Sequence, residues 1–321
     1  MPLFDFPLEK LRTYQAPDTE PADFEAFWRD TLARQQHPLD SRFERLADPS
    51  YRLVDVYDVT FAGFAGQPIK GWFIEPAGNT RPLPCIIRYI GYGGGRSLPI
   101  DHLAPATAGF ASLVMDTRGQ GSSWAPGATG DVSTTGGHFP GFMTQGIESP
   151  ETYYYRRVFT DAVRVIDVAA GHPHVDKTRI AVAGASQGGG IVIAAAGLAG
   201  GRVKLAMPDV PFLCHYRRAT ELTDRAPYSE ITAYLKVHRD RVEQAFQTLA
   251  YFDGIHFAPR IAARCLFSAA LMDMVCPPST VFAAYNRVTA PKEIRLYTYN
   301  EHEGGGPFQA AEQLRFAREH L

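Results

Sequence analysis

The chain is poor in cysteine: its 321 residues contain four, and no two of them form a Cys-x-x-Cys pair. Small disulfide-stapled scaffolds are dense in cysteine, so that class is excluded and we expect free thiols. Long apolar runs are also missing, since the longest, residues 188–200, is too short to span a bilayer. No secretory signal and no Asn-x-Ser/Thr acceptor are visible. We therefore expect a soluble, cytoplasmic protein.

Neither sign of charge is in excess. Lys and Arg total 32 and Asp and Glu total 34, which gives a formal net charge of −2. A near-neutral chain gives no electrostatic reason to expect a nucleic acid or an anionic membrane as partner. With 45% hydrophobic and 21% charged residues, the composition is that of an ordinary globular protein with a sizeable core.

Residues 1–80 are predicted to form an N-terminal helix and extended segments. Apolar residues recur at helical spacing over residues 21–36, which predicts an amphipathic helix. Residues 52–61 and 69–75 are predicted to be strands, joined by a hairpin near residues 63–66.

After Pro84, short apolar runs rich in β-branched residues alternate with helix-patterned stretches. The runs are residues 85–90, 111–115, 180–183, 205–207, 265–270 and 294–299, and the helical stretches are residues 152–170 and 188–198. This alternation predicts an α/β fold with a mostly parallel sheet and helices on both faces. Charged, helical sequence over about residues 216–255 predicts a cap insertion at the carboxyl edge of the sheet, where such folds bind ligands. We expect residues 1–321 to form a single domain.

Residues 183–188 read Ala-Gly-Ala-Ser-Gln-Gly, after a predicted strand and at the start of a Gly/Ala-rich helix. In that context Gly-x-Ser-x-Gly is typical of the nucleophile elbow of α/β hydrolases. Gly184 and Gly188 allow close backbone approach around a strained turn. Ser186 is therefore the predicted nucleophile, and the Gln187 amide at the helix N-terminus is a predicted oxyanion donor.

In this fold the acid and then the histidine follow the serine along the chain. His302 comes after the last predicted strand, which places it at the catalytic edge, so we predict it as the general base. His238 lies in the cap insertion and His256 at its end, whereas His215 comes too early for the usual order.

Asp273 directly follows the preceding strand, and we predict that it orients the imidazole and stabilises its cation. The competing acids are Asp253, which precedes that strand, and Glu301 and Glu303, which flank the histidine too closely. A plain loop or helix-capping role for Asp273 stays open.

A glycine-rich loop, residues 91–96, follows the strand at residues 85–90. A phosphate-binding loop would continue with Lys-Ser/Thr, which is absent here. In a hydrolase this loop supplies the second oxyanion donor, and the backbone amide of Tyr92 is the best candidate. A plain tight turn remains the alternative.

Metal-binding patterns are weak. His302-Glu303 is not followed by a second histidine at helical spacing, so no zincin motif is present. The His172-Pro173-His174 segment lacks neighbouring carboxylates in sequence and is interpreted as a loop. We expect no metal and no cofactor.

Taken together, these motifs resemble those of the acetyl xylan esterase/cephalosporin C deacetylase family, carbohydrate esterase family seven. The segments that carry the resemblance are residues 89–92, 115–121, 153–157, 184–188, 209–212, 276–280 and 302–303. The resemblance implies Ser186, His302 and Asp273 as the catalytic triad and the Tyr92 and Gln187 amides as the oxyanion hole. It also implies Arg118 and Gln120 as structural supports of the site.

The family resemblance further implies a cytoplasmic homo-hexamer, a trimer of dimers with active sites facing an internal chamber. Such a chamber excludes polymeric xylan and admits short acetylated xylo-oligosaccharides and small acetyl esters, including cephalosporin C. An acetyl preference requires a small apolar pocket, for which Tyr92, Phe212 and Pro227 are the candidate walls.

Four alternatives remain. A serine peptidase of the prolyl oligopeptidase type shares the elbow and the triad order, but about 80 preceding residues are too few for its propeller. A general short-chain carboxylesterase would lack the acetyl preference, and a dienelactone hydrolase would carry cysteine in place of Ser186. A non-catalytic binding or scaffold protein would be expected to have lost at least one triad or glycine position.

Overall fold

The structure is a computed structural model that describes residues 3–132 and 134–321. A single mixed sheet forms its centre. Nine strands lie within those ranges: β1 Arg42–Arg45, β2 Val54–Ala62, β3 Pro68–Pro76, β4 Leu83–Tyr89, β5 Ala111–Met115, β6 Val175–Ala185, β7 Leu205–Asp209, β8 Arg264–Ala270 and β9 Lys292–Tyr297. Their order is β1-β2-β3-β5-β4-β6-β7-β8-β9. β1, β2 and β3 are antiparallel, β3 is antiparallel to β5, and all later pairs are parallel. The predicted mostly parallel sheet is confirmed.

Helices cover both faces of this sheet. They are α1 Leu8–Thr13, α2 Phe24–Ala33, α3 Ala104–Thr107, α4 Tyr154–Gly171, α5 Gln187–Leu198, α6 Tyr216–Leu222, α7 Tyr228–Val237, α8 Val242–Ala250, α9 Gly254–Phe257, α10 Pro278–Arg287 and α11 Gly306–His320. Successive residues of a strand point to opposite faces. Accordingly, Val182 joins the core on the α4 and α5 side, whereas Ala181 and Ala183 pack in the cluster that contains Phe316 of α11.

The predicted strands and the two long helices are confirmed, with shifts at their ends. The predicted hairpin is also confirmed, because β2 and β3 pair in antiparallel register from Val54–Pro76 to Ala62–Pro68. The first predicted helix is shorter, since α2 ends at Ala33 rather than residue 36. Sequence patterning did not indicate β1, because three of its four residues are exposed on the sheet edge and it has no apolar alternation.

All four cysteines are free and buried, as expected for a chain without a disulfide framework. Among the described helices, none combines the length and apolarity needed to cross a bilayer.

Candidate active site

Ser186 lies in a tight turn between β6 and α5. Its backbone adopts φ 57° and ψ −121°, which is strained for a residue with a side chain. The turn is held by two main-chain hydrogen bonds. The Ser186 amide donates to the carbonyl of Asp209 at 3.0 Å, and the Phe212 amide donates to the carbonyl of Ser186 at 2.9 Å. The strand-turn-helix context predicted for the serine is therefore present.

Glycines on either side of the serine are required by packing. A Cβ atom at Gly184 would lie 2.6 Å from the backbone of Gly188, and one at Gly188 would lie 2.3 Å from the carbonyl oxygen of Tyr89. Real Cβ atoms do not approach backbone so closely. Because Gly184 and Gly188 have no side chain, β4, β6 and α5 can pack closely around Ser186.

The structure brings Ser186, His302 and Asp273 together. His302 Nδ1 lies 2.9 Å from Asp273 Oδ2, and His302 Nε2 lies 3.0 Å from Ser186 Oγ. An ionised carboxylate can only accept, so Nδ1–H donates to it and Nε2 accepts the serine hydroxyl. Asp273 is fully buried, and its other oxygen accepts the amides of Val275 at 2.7 Å and Cys276 at 2.9 Å. The carboxylate is thus fixed in position.

The other candidate histidines take part in separate contacts. His215 Nε2 is hydrogen-bonded to the hydroxyl of Tyr14 at 2.9 Å. His238 packs against Tyr234 with ring centroids 4.3 Å apart. His256 is fully buried, and burial lowers its pKa. The structure places none of these three rings on Ser186.

The competing acids are likewise occupied elsewhere. Asp253 caps α9 by accepting the amide of Ile255 at 3.1 Å. Glu303 accepts from the side chain of Asn300 at 2.9 Å and from the amide of Glu301 at 3.1 Å. The structure therefore places Asp273, and not Asp253 or Glu303, against Nδ1 of the imidazole.

The backbone amides of the two predicted oxyanion donors are not used by acceptors among the described residues. Gln187 is the first residue of α5, where a helical amide has no intrahelical acceptor. Tyr92 follows β4 and lines the same cavity as Ser186. Neither backbone amide donates to an acceptor in the part of the chain that the structure describes.

Gln120 is fully buried beneath the glycine-rich loop. Its Oε1 accepts the amide of Gly93 at 2.7 Å, and its Nε2 donates to the hydroxyl of Tyr154 at 3.1 Å. The side chain therefore fixes the loop that carries the Tyr92 amide.

Arg118 is also fully buried and makes a bidentate pair with Asp161, at 2.6 and 2.9 Å. A second carboxylate, Asp131, lies 3.2 Å away and bridges to Arg157 at 2.7 Å. Although burial lowers the pKa of Arg118, the Asp161 and Asp131 carboxylates outweigh it and raise that pKa. The network connects α4 to the loop after β5.

A cavity of about 940 Å³ opens above the serine. Ser186, His302, Tyr92 and Pro227 line it. Phe212, the third predicted wall, does not: it is fully buried behind Tyr92, with ring centroids 6.2 Å apart. Its position directly after the strand-end turn places its side chain in the core rather than at the surface of the cavity.

Glu230 of α7 also lines the cavity and gave no signal in the sequence. Both of its carboxylate oxygens lie 2.8 Å from the Tyr92 hydroxyl, which donates to them, and one accepts the Met143 amide at 3.1 Å. Burial raises the pKa of Glu230. The cap helix is thereby connected to the residue whose amide is a predicted oxyanion donor.

Asp209, at the end of β7, is a second acid near the triad that sequence reasoning missed. Burial raises its pKa to about 6, and the nearby Asp273 carboxylate raises it further while His302 and a hydrogen bond from Ser268 lower it. Residues 209–212 belong to the family resemblance, but the sequence assigns no role to Asp209 itself, because it reads as the last residue of an apolar strand.

Among the described residues, metal-ligating side chains come together only at Asp273, Cys276 and His302, whose ligand atoms lie within 4.8 Å of one another. Both ring nitrogens of His302 already have hydrogen-bond partners within the triad. Burial raises the pKa of the Cys276 thiol, which disfavours the thiolate that binds metals. The proximity of Asp273 and His302 is better explained by their hydrogen bond to each other and that of His302 to Ser186.

Comparisons with known proteins all indicate the same family. Residues 1–320 match the family model described as acetyl xylan esterase (AXE1). The acetyl esterase Axe7A of Xylanibacter ruminicola is 27% identical over 305 residues, which cover 92% of this chain and 66% of that protein's length.

Two solved structures are similar over nearly the whole chain. The acetyl xylan esterase from Paenibacillus sp. R4 is 42% identical with a TM-score of 0.92, covering 98% of this chain and 100% of that one. Acetyl xylan esterase 1 from Thermoanaerobacterium sp. JW/SL YS485 is 33% identical with a TM-score of 0.88, covering 98% and 99%. The chain therefore belongs to the acetyl xylan esterase family of α/β hydrolases, which indicates a carboxylic ester hydrolase.

Proposed function

We propose that this protein is a serine deacetylase that removes O-acetyl groups from short acetylated xylo-oligosaccharides and small acetyl esters, including cephalosporin C. The observation that carries the proposal is the continuous hydrogen-bond chain from Asp273 through His302 to the Ser186 hydroxyl, at 2.9 and 3.0 Å, on the wall of an open cavity. Family membership supports acetyl esters as the substrate class.

In the first half of the reaction, Ser186 Oγ attacks the ester carbonyl while His302 Nε2 takes its proton. The negative charge that develops on the carbonyl oxygen is stabilised by the amides of Tyr92 and Gln187, and one such donor typically contributes about 10²–10³ in rate. Asp273 stabilises the imidazolium, which then gives its proton to the departing alcohol. An acetyl group remains on Ser186.

In the second half, water attacks the acetyl-enzyme and His302 takes a proton from it. The tetrahedral intermediate uses the same two amides, and its collapse returns the proton to Ser186 and releases acetate. Each step uses only side chains and amides of this chain, so we expect neither a metal nor a cofactor to be needed.

We also propose that residues 1–321 act as one domain, with about residues 216–255 as a cap. Pro227 and Glu230, which belong to that segment, line the cavity and support the cap assignment. The family resemblance supports a cytoplasmic homo-hexamer, a trimer of dimers whose chamber restricts substrates to short oligosaccharides. Light scattering tests the assembly: a hexamer mass is expected, and a monomer at assay concentration would contradict it.

The function is tested by hydrolysis of p-nitrophenyl acetate, butyrate and octanoate by the wild type, Ser186→Ala and an exposed-serine control, Ser41→Ala. We expect rates that fall steeply with chain length, a loss of about 10⁶ in kcat for Ser186→Ala, and wild-type rates for Ser41→Ala. Equal rates on all three esters would instead indicate a general carboxylesterase. If Ser186→Ala keeps wild-type activity, or no ester is cleaved, the deacetylase proposal is wrong; cleavage of peptides instead would favour the peptidase alternative.

A further inference from the structure

One basic side chain in the cavity has no partner in the described part of the chain. Arg88 lies near the carboxyl end of β4, is only partly accessible, and lines the same cavity as Ser186 and His302. Burial lowers its pKa, yet a guanidinium remains charged at neutral pH. Across residues 3–132 and 134–321 its side chain makes no hydrogen bond, ion pair or contact with an aromatic ring. Its charge therefore faces the cavity uncompensated.

The buried arginines of the described chain, unlike Arg88, have hydrogen-bond partners. The arginines with little exposure are Arg96, Arg118, Arg157 and Arg164, and each donates to carboxylates or carbonyls. Burying an unpaired charge is costly, so a fold normally supplies a partner. The exception at Arg88 indicates that its partner comes from outside the chain.

The acidic groups of the cavity are already engaged. Asp101 accepts the hydroxyl of Ser97 at 2.5 Å, Glu303 accepts from the side chain of Asn300, and Glu230 is held by Tyr92. None of these three carboxylates pairs with Arg88.

A second cavity residue has one polar atom without a partner among the described residues. His102 also lines the cavity, and its Nε2 donates to the carbonyl of Arg96 at 2.8 Å. Its Nδ1 is buried and has no hydrogen-bond partner among the described residues. Burial and the Arg88 charge lower the pKa of His102. An anion bound next to Arg88 would oppose the effect of that charge and favour a protonated His102, whose Nδ1–H is then a further donor.

The sheet places Arg88 within reach of a substrate bound at Ser186. Arg88 pairs in register with Ala183 of β6, and Ser186 is three residues further along. With a strand rise of about 3.3 Å and a strand spacing of about 4.8 Å, the Cα atoms of Arg88 and Ser186 lie roughly 11 Å apart. The alcohol part of an ester that reacts at Ser186 can span this distance.

We propose that Arg88, with His102, forms a subsite for a carboxylate carried by the alcohol part of the acetyl ester. The planar guanidinium matches the two oxygens of a carboxylate, and a single charge is favoured over a dianion because Asp101 and Glu303 share the cavity. This inference rests on the proposed deacetylase function. A uronic-acid branch on an acetylated oligosaccharide and the ring carboxylate of cephalosporin C both have this chemistry.

The test uses matched pairs of substrates: 3- and 4-acetoxybenzoate, each against its methyl ester. The ratio of kcat/KM for acid over ester is compared between wild type and variants, so that differences in leaving-group reactivity cancel. We expect Arg88→Gln to lower this ratio about tenfold or more, since a charge-assisted hydrogen bond is lost, and Arg88→Lys to keep part of it. Arg52→Gln, an exposed arginine outside the cavity, should leave the ratio unchanged. An equal ratio in wild type and Arg88→Gln for both isomers overturns the subsite.

A wild-type measurement covers the case in which Arg88→Gln does not fold. 4-Hydroxybenzoate should inhibit at a concentration at least about tenfold below that of its methyl ester, and equal inhibition overturns the proposal. Cephalosporin C against its methyl ester, and a xylo-oligosaccharide with against without a uronic-acid branch, then identify which source of carboxylate is favoured. If the methyl esters themselves are not cleaved in a Ser186-dependent way, the proposed function fails, and not only the subsite.

Discussion

The side-chain amides of Gln120 and Gln187 are hydrogen-bonded to each other, with Gln120 Nε2 donating to Gln187 Oε1 at 2.7 Å. Both side chains are fully buried. Gln187 Nε2 also donates to the carbonyl of Ile90 at 3.1 Å, and Gln120 Oε1 accepts the amide of Gly93. One pair of amides therefore connects the start of α5 to the glycine-rich loop, and these are the two segments that carry the proposed oxyanion donors.

Replacing Gln120 by Leu should loosen the proposed oxyanion hole. The amide of Gly93 and the side chain of Gln187 would lose a buried partner, which costs about 1–3 kcal/mol of unfolding free energy for each unsatisfied group. We expect kcat for p-nitrophenyl acetate to fall about tenfold to a hundredfold, with a smaller change in KM. Steady-state kinetics and urea unfolding measure both effects, and Gln36→Ala, an exposed glutamine, is the control. An unchanged kcat would contradict the positioning role of Gln120.

Gly188 should not tolerate even alanine. The added Cβ would lie 2.3 Å from the carbonyl oxygen of Tyr89, which belongs to a central strand and cannot move away. We expect Gly188→Ala to lose about 3 kcal/mol or more of unfolding free energy, or to be insoluble. Gly171→Ala at the end of α4 is the matched control, because beyond its own helical turn no described atom lies within 4 Å of the new methyl group. Thermal unfolding of the two variants compares them directly, and equal melting temperatures would be inconsistent with the packing described.

Asparagine variants of Asp273 and Asp253 test which of the two acids orients the His302 imidazole. Asp273→Asn keeps the size of the side chain but removes the charge that holds His302 Nδ1–H, so we expect kcat to fall by about 10⁴. Asp253→Asn disturbs the cap of α9 and should lower stability while kcat stays within a few-fold of wild type. Kinetics on the folded fraction of each variant decides between them. A large loss of kcat in Asp253→Asn alone would reverse the assignment.

Asp209 should make stability depend on pH. Its folded-state pKa of about 6 lies above the ordinary value of about 3.9. A group with a raised folded pKa stabilises the protein fully below its unfolded pKa, and this contribution is lost as pH rises through about 6.

Asp209→Asn removes that dependence. Relative to wild type, the variant should gain up to about 3 kcal/mol of unfolding free energy between about pH 4 and pH 7.5. Urea unfolding at the two pH values measures the difference, with Asp224→Asn, a 93% exposed side chain, as control. A constant difference between variant and wild type would show that Asp209 does not titrate in this range.

The parts of the fold that could be predicted have strong local patterns. Apolar strands alternating with amphipathic helices identified the parallel sheet, and the strand-serine-helix order located the Ser186 turn. Residue order along the chain then led to Asp273 and His302, which the structure brings to hydrogen-bonding distance.

The remaining features depend on contacts between residues distant in sequence. Arg88 is one basic residue within a strand, and only the fold reveals that the three described acids of its cavity, Asp101, Glu230 and Glu303, have other partners. Glu230 reads as an ordinary surface acid of a helix, yet it meets Tyr92, 138 residues away. Phe212 is a candidate wall of the acyl pocket in the sequence, but its side chain is buried in the core. Local sequence does not determine such orientations.

The most direct test of the Ser186 mechanism is to trap its covalent intermediate. Wild-type enzyme is mixed with p-nitrophenyl acetate, quenched in acid within milliseconds, digested and examined by mass spectrometry. We expect a transient acetyl group on the peptide that contains Ser186, with a burst of p-nitrophenol of matching size, and neither in Ser186→Ala. Full turnover without acetylation of Ser186, or acetylation of another residue such as Cys276 in step with the burst, would contradict the mechanism.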